Sequence, residues 1–578
     1  PFSQTLQAGQ TYTLTSVIGH IDSKETLNSL VTTIMEPEYI QNKKWGSQSL
    51  INALTAKNMT VSGNPILDQY VRQNFLDNVL RGGFPFTLKG RKSQTVLHLY
   101  SRRHGDLERD YNDFRITPTN YSQGNGAYRD VNQNRRSDLL FNPDVKSNNL
   151  EHFYNLIQLD GFNPLVIKEI RFIVHDAKAV KEALKDNIGS NEINTVLSYL
   201  SASRTPGELL AHLEQSNVEI LCDPDEFLGD LLAVCQKVYD TDHGEGYWSD
   251  HWTYNLDLLE NYLSVYPEKL KYILFEKLSF TFHDSPYRVL PRDDKYVVWD
   301  GNPMQLEAVF HDKQKEALIG KRSTDPHSVR NQYGSGEVYY TTLMSKILSL
   351  VTNKIASLDP SGLGVEMESD KPGWDDALNG LPALMGSSLC ETMEIKRNIQ
   401  FLLNAIEQQD ESVSSIKIFE ELYSFIMTLQ NILDSNLEAF LFWDKASAAK
   451  EKFREAVNLG ISGIEIQMTI PELTYYLIAC LAKLEQGIDQ AWDNAGKIPS
   501  TYFTHAVTDY EIIQIKDTDG SKVVKTNAKG QSCFRAKGFS VHHLPHFLEG
   551  PVHYLRCRPE AHIAKKIVLN IRQSDLYD

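Results

Sequence analysis

The sequence has few cysteines and none of the spacings that cysteine chemistry uses. Six Cys are scattered through 578 residues, and no two of them form a CxxC pair. This usage is typical of reduced, buried thiols and predicts a cytoplasmic protein. No cysteine lies near an obvious His or Asn partner, so we do not expect a thiol nucleophile.

The sequence also lacks long apolar runs and an excess of positive charge. No apolar run approaches the roughly 18 residues of a spanning helix, so we expect no membrane partner. Lys+Arg is 58 against Asp+Glu 75, a net charge of −17, whereas nucleic-acid binding needs clustered Lys and Arg. No phosphate-loop motif and no internal repeat occurs. The hydrophobic fraction of 41% is ample for large cores and excludes global disorder.

The start of the chain predicts the end of one domain and a helical linker to the next. Thr11 to Ile18 partly alternates polar and apolar residues, which favours a strand at the tail of a β domain. From Ser23 the apolar period becomes helical, and Asn64-Pro65 is a typical helix opening. Because the chain begins at Pro1 rather than Met, we expect an excerpt of a longer polypeptide.

The remaining long segments are mostly helical in pattern, separated by polar loops rich in aromatics. This pattern favours an α-helical barrel or toroid with a loop-lined site. The exception is 511–526, where two short apolar runs flank Asp517-Thr518-Asp519-Gly520 and predict a β-hairpin. The predicted helices are Ala179 to Leu184, Asn194 to Leu200, Pro206 to Leu213, Phe419 to Leu433, Glu438 to Val457 and Glu472 to Trp492.

Three segments have compositions that suit the binding of a sugar. Asn125 to Asn142 is dense in Arg, Asp, Asn and Gln, and each sugar hydroxyl needs a donor and an acceptor. Gly244 to Tyr254 holds two Trp, two Tyr, a His and an Asp, and aromatic rings stack on the C–H faces of sugars. A self-capping polar turn and an aromatic core cluster explain these two segments about equally well.

The third segment, Lys371 to Ser388, contains paired carboxylates next to an indole. Trp374 precedes Asp375 and Asp376. A Trp beside an acid desolvates it and raises its pKa, as a general acid requires. Adjacent Asp residues are also common helix N-caps, so spacing alone leaves both interpretations open.

Together these segments resemble the inverting glycoside phosphorylases of the cellobiose phosphorylase-like superfamily, glycoside hydrolase families 94, 149 and 161. The third resembles their W-N-D-G/A loop, with Asp375 in place of the usual Asn, and Arg129-Asp130-Val131-Asn132-Gln133 resembles their R-D-x-x-Q motif. The second segment and Pro545 to Pro551 (PHFLEGP) look most like the β-1,3-oligoglucan phosphorylases.

The resemblance implies a fold and a domain plan. The fold is mainly α: an (α/α)6 barrel catalytic domain at 86–578, incomplete at its C-terminal end, after a helical linker at 23–85. The end of an N-terminal β-sandwich is expected at 1–22. A homodimer is common among the relatives, but no sequence feature marks an interface.

The resemblance also implies an activity, namely phosphorolysis of β-glucan oligosaccharides with release of α-glucose 1-phosphate. Phosphate is already an anionic nucleophile, so only one carboxylic acid is needed, in contrast to the two of an inverting hydrolase. No cofactor is implied beyond inorganic phosphate as co-substrate. The implied general acid is Asp376, and the implied substrate-binding residues are Arg129, Asp130, Gln133, Trp248, His251, Trp252, Tyr254, Trp374 and Asp375.

Two other functions remain open, and so do the β-1,4 and β-1,2 linkages. An inverting hydrolase would need a second carboxylate as base, for which Glu337, Asp250 and Asp257 are candidates. A non-catalytic carbohydrate-binding protein would retain the sugar contacts without turnover. No metal site is expected, because Pro545 interrupts the helix that would align the histidines of the HHLPH stretch.

Overall fold

The computed structural model describes residues 3–18, 21, 23–91, 93–100, 119–244, 246–368, 378, 380–410, 412–495, 498–518 and 520–577. Helices account for 48% of these residues and strands for 18%. The chain forms two compact units. Of the described residues, unit 1 comprises those within 3–100, 119–124 and 171–237, and unit 2 comprises those within 125–170 and 238–577.

Unit 1 contains helices whose ends follow local capping rules. The side chain of Ser23 accepts a hydrogen bond from Thr26 N, and that of Asn64 accepts from Ile66 N and Leu67 N. Its α-helices are Lys24–Ile34, Pro37–Thr55, Pro65–Gly82, Ala177–Leu184, Ile193–Tyr199, Pro206–Gln215 and Pro224–Leu232, and its strands Phe84–Lys89 and Gln94–Leu99 form an antiparallel pair.

The helix Pro224–Leu232 lies very close to the turn of this β-hairpin. A Cβ atom on Gly229 would come within 2.2 Å of Gly90 N, so only glycine permits the approach. Asp230 accepts a hydrogen bond from Arg91 N at 2.8 Å and fixes the turn against the helix.

Unit 2 is built around a helix that is buried along its whole length. Every residue of Leu343–Ile355 is buried. The α-helices of unit 2 are Tyr128–Arg135, Asp138–Phe141, Asn148–Asn155, Asn255–Val265, Arg292–Lys295, Lys313–Gly320, Leu343–Ile355, Leu389–Glu407, Glu420–Asp434, Ala439–Ala456, Ile470–Ala495, Glu549–Cys557 and Ala561–Ile571.

The strands of unit 2 form several small antiparallel sheets and one larger sheet. The larger sheet has the order Val365–Glu366, Ser387–Ser388, Tyr502–Ile512, Ser532–His543, Tyr296–Trp299 and Asn302–Gln305. The other strands are Gly126–Ala127, Val166–Ile173, Gln236–Asp242, Tyr287–Val289, Val309–His311, Ser415–Phe419, Glu465–Thr469, Gln514–Lys516 and Lys522–Val524.

The expected fold class is wrong. The described residues show no (α/α)6 barrel, and their helices are accompanied by several antiparallel sheets, one of them six-stranded. The expected strand of a β-sandwich is also missing, since residues 3–18 as described contain no strand. The segment 125–142 is not a loop but mainly helical, as Tyr128–Arg135 and Asp138–Phe141.

The local helix predictions fit the structure well. The predicted Phe419 to Leu433, Glu438 to Val457 and Glu472 to Trp492 correspond to Glu420–Asp434, Ala439–Ala456 and Ile470–Ala495. A hairpin also lies within 511–526, where Gln514–Lys516 pairs with Lys522–Val524. The error was therefore in the architecture implied by the resemblance, and not in the period of the long helices.

Candidate functional site

The position of Arg129 is set by the buried residue next to it, Tyr128, with which it begins the helix Tyr128–Arg135. Tyr128 is fully buried, and its hydroxyl donates to the carbonyl oxygen of Phe153 at 2.8 Å. The adjacent Arg129 is only 16% exposed, and its Nη2 lies 3.0 Å from Asp130 Oδ1. The helix thus presents a largely buried guanidinium with a carboxylate beside it.

Asp250 faces this guanidinium from a different segment. Its Oδ2 lies 4.0 Å from Arg129 Nη1, and its side chain is 18% exposed. The other carboxyl oxygen, Oδ1, is buried and has no hydrogen-bond partner in the part of the chain that the structure describes. A buried polar atom without a partner carries a desolvation cost that a bound hydroxyl would relieve.

The surroundings of Asp250 change its ionisation. Burial raises its pKa to about 7, and the nearby charges of Glu549 and Glu391 add to the rise while Arg129 opposes it. An Asp normally has a pKa of about 3.9. The carboxyl group can therefore give or take a proton near neutral pH, which is the property that acid–base catalysis needs.

Glu391 is held on the buried side of the site. Its Oε2 accepts hydrogen bonds from Trp252 Nε1 at 2.9 Å and from Lys354 Nζ at 3.1 Å. Lys354 Nζ also donates to the carbonyl oxygen of Ser249 at 2.9 Å. Burial raises the pKa of Glu391 although Lys354 and the indole oppose the rise.

Glu549, the first residue of the helix Glu549–Cys557, is the third acidic residue of the site beside Asp250 and Glu391. The Tyr502 hydroxyl donates to its Oε2 at 2.6 Å. Burial, together with the charge of Glu549, raises the pKa of Tyr502 far above its usual range. Burial and the charge of Asp250 raise the pKa of Tyr254 to about 12. Both phenols therefore stay protonated and can donate hydrogen bonds.

The structure brings together part of the predicted site. Arg129, Asp130 and Tyr254 lie around Asp250, and Gln133 is half-buried one turn along the helix of Arg129. Trp374, Asp375 and Asp376 lie outside the described residues, so the predicted general acid has no structural account.

The predicted aromatic residues Trp248, His251 and Trp252 lie mainly in the core. Trp252 is 1% and Trp248 5% exposed, and Trp248 packs with Leu165. His251 stacks on Trp248 with ring centroids 5.5 Å apart, and burial holds its pKa well below the usual range. A substrate-binding role for these three residues stays a prediction.

Sequence reasoning missed several residues of the site. Lys354 and Glu391 lie on helices whose pattern is that of a core, and a charge on an apolar helix face is the one local signal they give. Glu549 lies in the PHFLEGP stretch that carried the resemblance but had no assigned role. Tyr502 begins a strand and has no distinguishing pattern.

The two other candidate bases have different surroundings. Asp257 is paired with Arg136 at 3.0 Å, with Arg397 at 3.4 Å and with Arg556. Glu337 is exposed. Of the three candidates, Asp250 alone has a buried carboxyl oxygen without a partner among the described residues.

The comparisons with known proteins give no family. The chain matches no protein-family model and no curated protein sequence. Within the described residues, no helix has the length and apolar character that crossing a membrane requires.

Proposed function

We propose that this chain cleaves β-linked gluco-oligosaccharides, preferably β-1,3-linked, with inorganic phosphate at the Arg129–Asp250 site. One observation carries the proposal. Arg129, Asp250 and Glu549 come from three segments that separately resemble the phosphorylases, and their charges meet in one largely buried site. The proposal includes a cytoplasmic location, which the free state of all six cysteines supports.

The proposed reaction inverts the anomeric carbon. A phosphate oxygen attacks this carbon from the face opposite the leaving sugar, the C–O bond breaks, and the leaving oxygen takes a proton from a general acid. The products are α-glucose 1-phosphate and a shortened oligosaccharide. By resemblance the general acid is Asp376, and its role in the proposal depends on that resemblance alone.

The described residues would bind and orient the sugar. The guanidinium of Arg129 can donate to two neighbouring hydroxyls in a fixed fork. Asp250 Oδ1 is buried and has no hydrogen-bond partner among the described residues, so it would accept a hydrogen bond from a sugar hydroxyl. Tyr254 and Glu549 add a donor and an acceptor, so the site offers both functions of the hydrogen bonds that a sugar needs.

A specific observation favours one alternative, an inverting hydrolase with Asp250 as base. Its pKa of about 7 makes the ionised form a stronger base than an ordinary carboxylate. Water instead of phosphate would then be the nucleophile, and the acid would have to lie about 6.5–9.5 Å away. A carbohydrate-binding protein without turnover is the third candidate.

The test is to incubate the protein with β-1,3-linked gluco-oligosaccharides, with and without phosphate, and to measure glucose 1-phosphate and free glucose. We expect glucose 1-phosphate only with phosphate. Asp376→Asn should lower the rate by about 10²–10⁴, the usual contribution of a general acid. Asp375→Asn is the matched control and should retain most of the rate.

The other outcomes separate the candidates. Free glucose without phosphate would contradict phosphorolysis and support the hydrolase, in which case Asp250→Asn should lose activity as severely as Asp376→Asn. Turnover only of β-1,4 or β-1,2 oligosaccharides would overturn the linkage and keep the mechanism. Binding without any turnover would overturn catalysis altogether.

A further inference from the structure

Three side chains that ligate metals converge from two packed helices of unit 2. Cys390 is in the first turn of the helix Leu389–Glu407, while Glu549 and His553 lie four residues apart on the helix Glu549–Cys557. Residues at this spacing share one helix face. One ligand atom from each of the three lies within 4.8 Å of the other two.

We propose that Cys390, Glu549 and His553 form a zinc-binding site. In a tetrahedral zinc site the bonds are about 2.0–2.3 Å long, which puts neighbouring ligand atoms about 3.5 Å apart. The side chains would therefore have to close by about 1 Å, which small rotations about their side-chain bonds can supply. The proposal does not depend on the proposed function, because the metal would bind whether or not the protein cleaves sugars.

A second observation supports the site, namely the orientation of His553. Its Nδ1 lies 2.8 Å from Glu394 Oε1, which leaves Nε2 as the nitrogen for a metal. Glu394 is also paired with Arg397 at 2.6 Å and with Arg556 at 3.5 Å, and these two cations favour its carboxylate form. An ionised carboxylate behind the imidazole is the usual outer support of a zinc-bound histidine.

The electrostatic surroundings of Cys390 favour a cation. The thiol of Cys390 is buried, 4% exposed, and the negative charges of Glu549, Glu394 and Glu391 act on it. A divalent cation would be attracted by these carboxylates and would displace the proton of the thiol on binding. Tyr502 fixes the Glu549 carboxylate through the bond of its hydroxyl to Oε2.

The donor set selects the class of metal. A thiolate and an imidazole suit Zn²⁺, whereas Mg²⁺ and Ca²⁺ prefer oxygen ligands only. Three protein ligands leave a fourth position for water. Because Glu549 also contributes to the Arg129–Asp250 site, bound zinc would compete with any ligand that uses this carboxylate.

The test uses Co²⁺ as a spectroscopic substitute for Zn²⁺ on the chelator-treated protein. Titration should produce a thiolate-to-cobalt charge-transfer band that saturates at one equivalent, and added Zn²⁺ should remove it. Cys390→Ser should abolish the band. Cys557→Ser is the matched control, because Cys557 is a buried cysteine on the same helix as His553 whose Sγ bonds the carbonyl oxygen of Tyr554.

Further variants keep the proposal open to contradiction. His553→Gln is the second test if Cys390→Ser fails to fold, and it should weaken cobalt binding by at least tenfold. Glu394→Gln should weaken it about 10–100-fold, the usual effect of removing an outer partner. No band at all, a band that survives in Cys390→Ser, or a band lost in Cys557→Ser would each overturn the proposal.

Discussion

Asp250 and Glu368 are both largely buried carboxyl groups of unit 2, yet their ionisation differs. Burial and neighbouring carboxylates raise the pKa of Asp250 to about 7. Burial acts on Glu368 in the same direction, but Arg454, Lys450 and Lys295 overcome it and hold the pKa of Glu368 well below its usual range. The two groups therefore carry different charges at neutral pH.

The difference lies in the number and distance of the cations. Lys450 Nζ is 2.7 Å and Lys295 Nζ 3.6 Å from Glu368 Oε2, and Arg454 pairs with the other oxygen. Asp250 faces Arg129 at 4.0 Å. Close pairing offsets the desolvation of a buried charge, while a single distant cation does not. We infer a structural role for Glu368 and a functional role for Asp250.

The largest expected effect is that of Glu368→Gln. Removing this charge leaves Lys295, Lys450 and Arg454 buried without their common partner. We expect the free energy of unfolding to fall by about 3–5 kcal/mol, as for other broken buried pairs. Urea unfolding at pH 7 measures the loss.

The control for this variant is Asp444→Asn, which breaks an ion pair with Arg292 in which Asp444 is 55% exposed. Exposed pairs contribute less than about 1 kcal/mol. If the two variants lost equal stability, the Glu368 cluster would not be the structural anchor that we infer.

The same acid-to-amide change at Asp250 should raise the free energy of unfolding at neutral pH, whereas at Glu368 it should lower it. The folded pKa of about 7 exceeds the ordinary value of about 3.9. Below pH 4 the group is protonated in both states and contributes nothing. As pH rises from 4 to 7 the unfolded state ionises first, so the wild type loses up to about 4 kcal/mol, and the loss is constant above pH 7.

Asp250→Asn should remove this loss. At pH 8 the variant should be as stable as the wild type or more stable, and near pH 4 the two should coincide. Urea unfolding at both pH values checks the sign. A variant clearly less stable at pH 8 would show that the carboxylate of Asp250 stabilises the fold, with Arg129 as its partner, and the comparison with Glu368 would fail.

The helices could be predicted from the sequence because their signals are local. Ser23 and Asn64 cap helices that begin one residue later, and apolar periods mark the long helices of unit 2. The larger sheet gives no such signal. Val365–Glu366 and Ser387–Ser388 are two residues long, and the strand next to them, Tyr502–Ile512, lies more than a hundred residues away along the chain.

The candidate site was predictable only where its residues are dense in one segment. The polar residues around Arg129 and the aromatic residues around Asp250 indicate a site by their local composition alone. Lys354 and Glu391 lie on two largely buried helices that are far apart in the sequence, and each charge is tolerated there because the other neutralises it. That partnership exists only in the folded chain, so no local pattern could reveal it.

The smallest expected effect is that of Trp252→Phe, which tests how Glu391 is held. The indole donates to Glu391 Oε2 at 2.9 Å and is 1% exposed, and Lys354 remains a partner after the change. Losing the hydrogen bond of the indole should cost about 1–2 kcal/mol in urea unfolding. Trp299→Phe, at a ring that is 53% exposed, should change stability by less than about 0.5 kcal/mol.

Trp252→Phe also separates two roles for the same ring. If the ring only stacks on substrate, the substitution should raise KM and leave the free energy of unfolding unchanged. If the indole holds Glu391, the substitution should lower the free energy of unfolding. The pKa of Glu391 should also rise further, because the hydrogen bond from the indole lowers this pKa in the wild type. Unchanged stability with a raised KM would therefore favour the substrate-binding role, and would mean that the other partners of Glu391, Lys354 and Ser249, are enough to hold its buried carboxyl group.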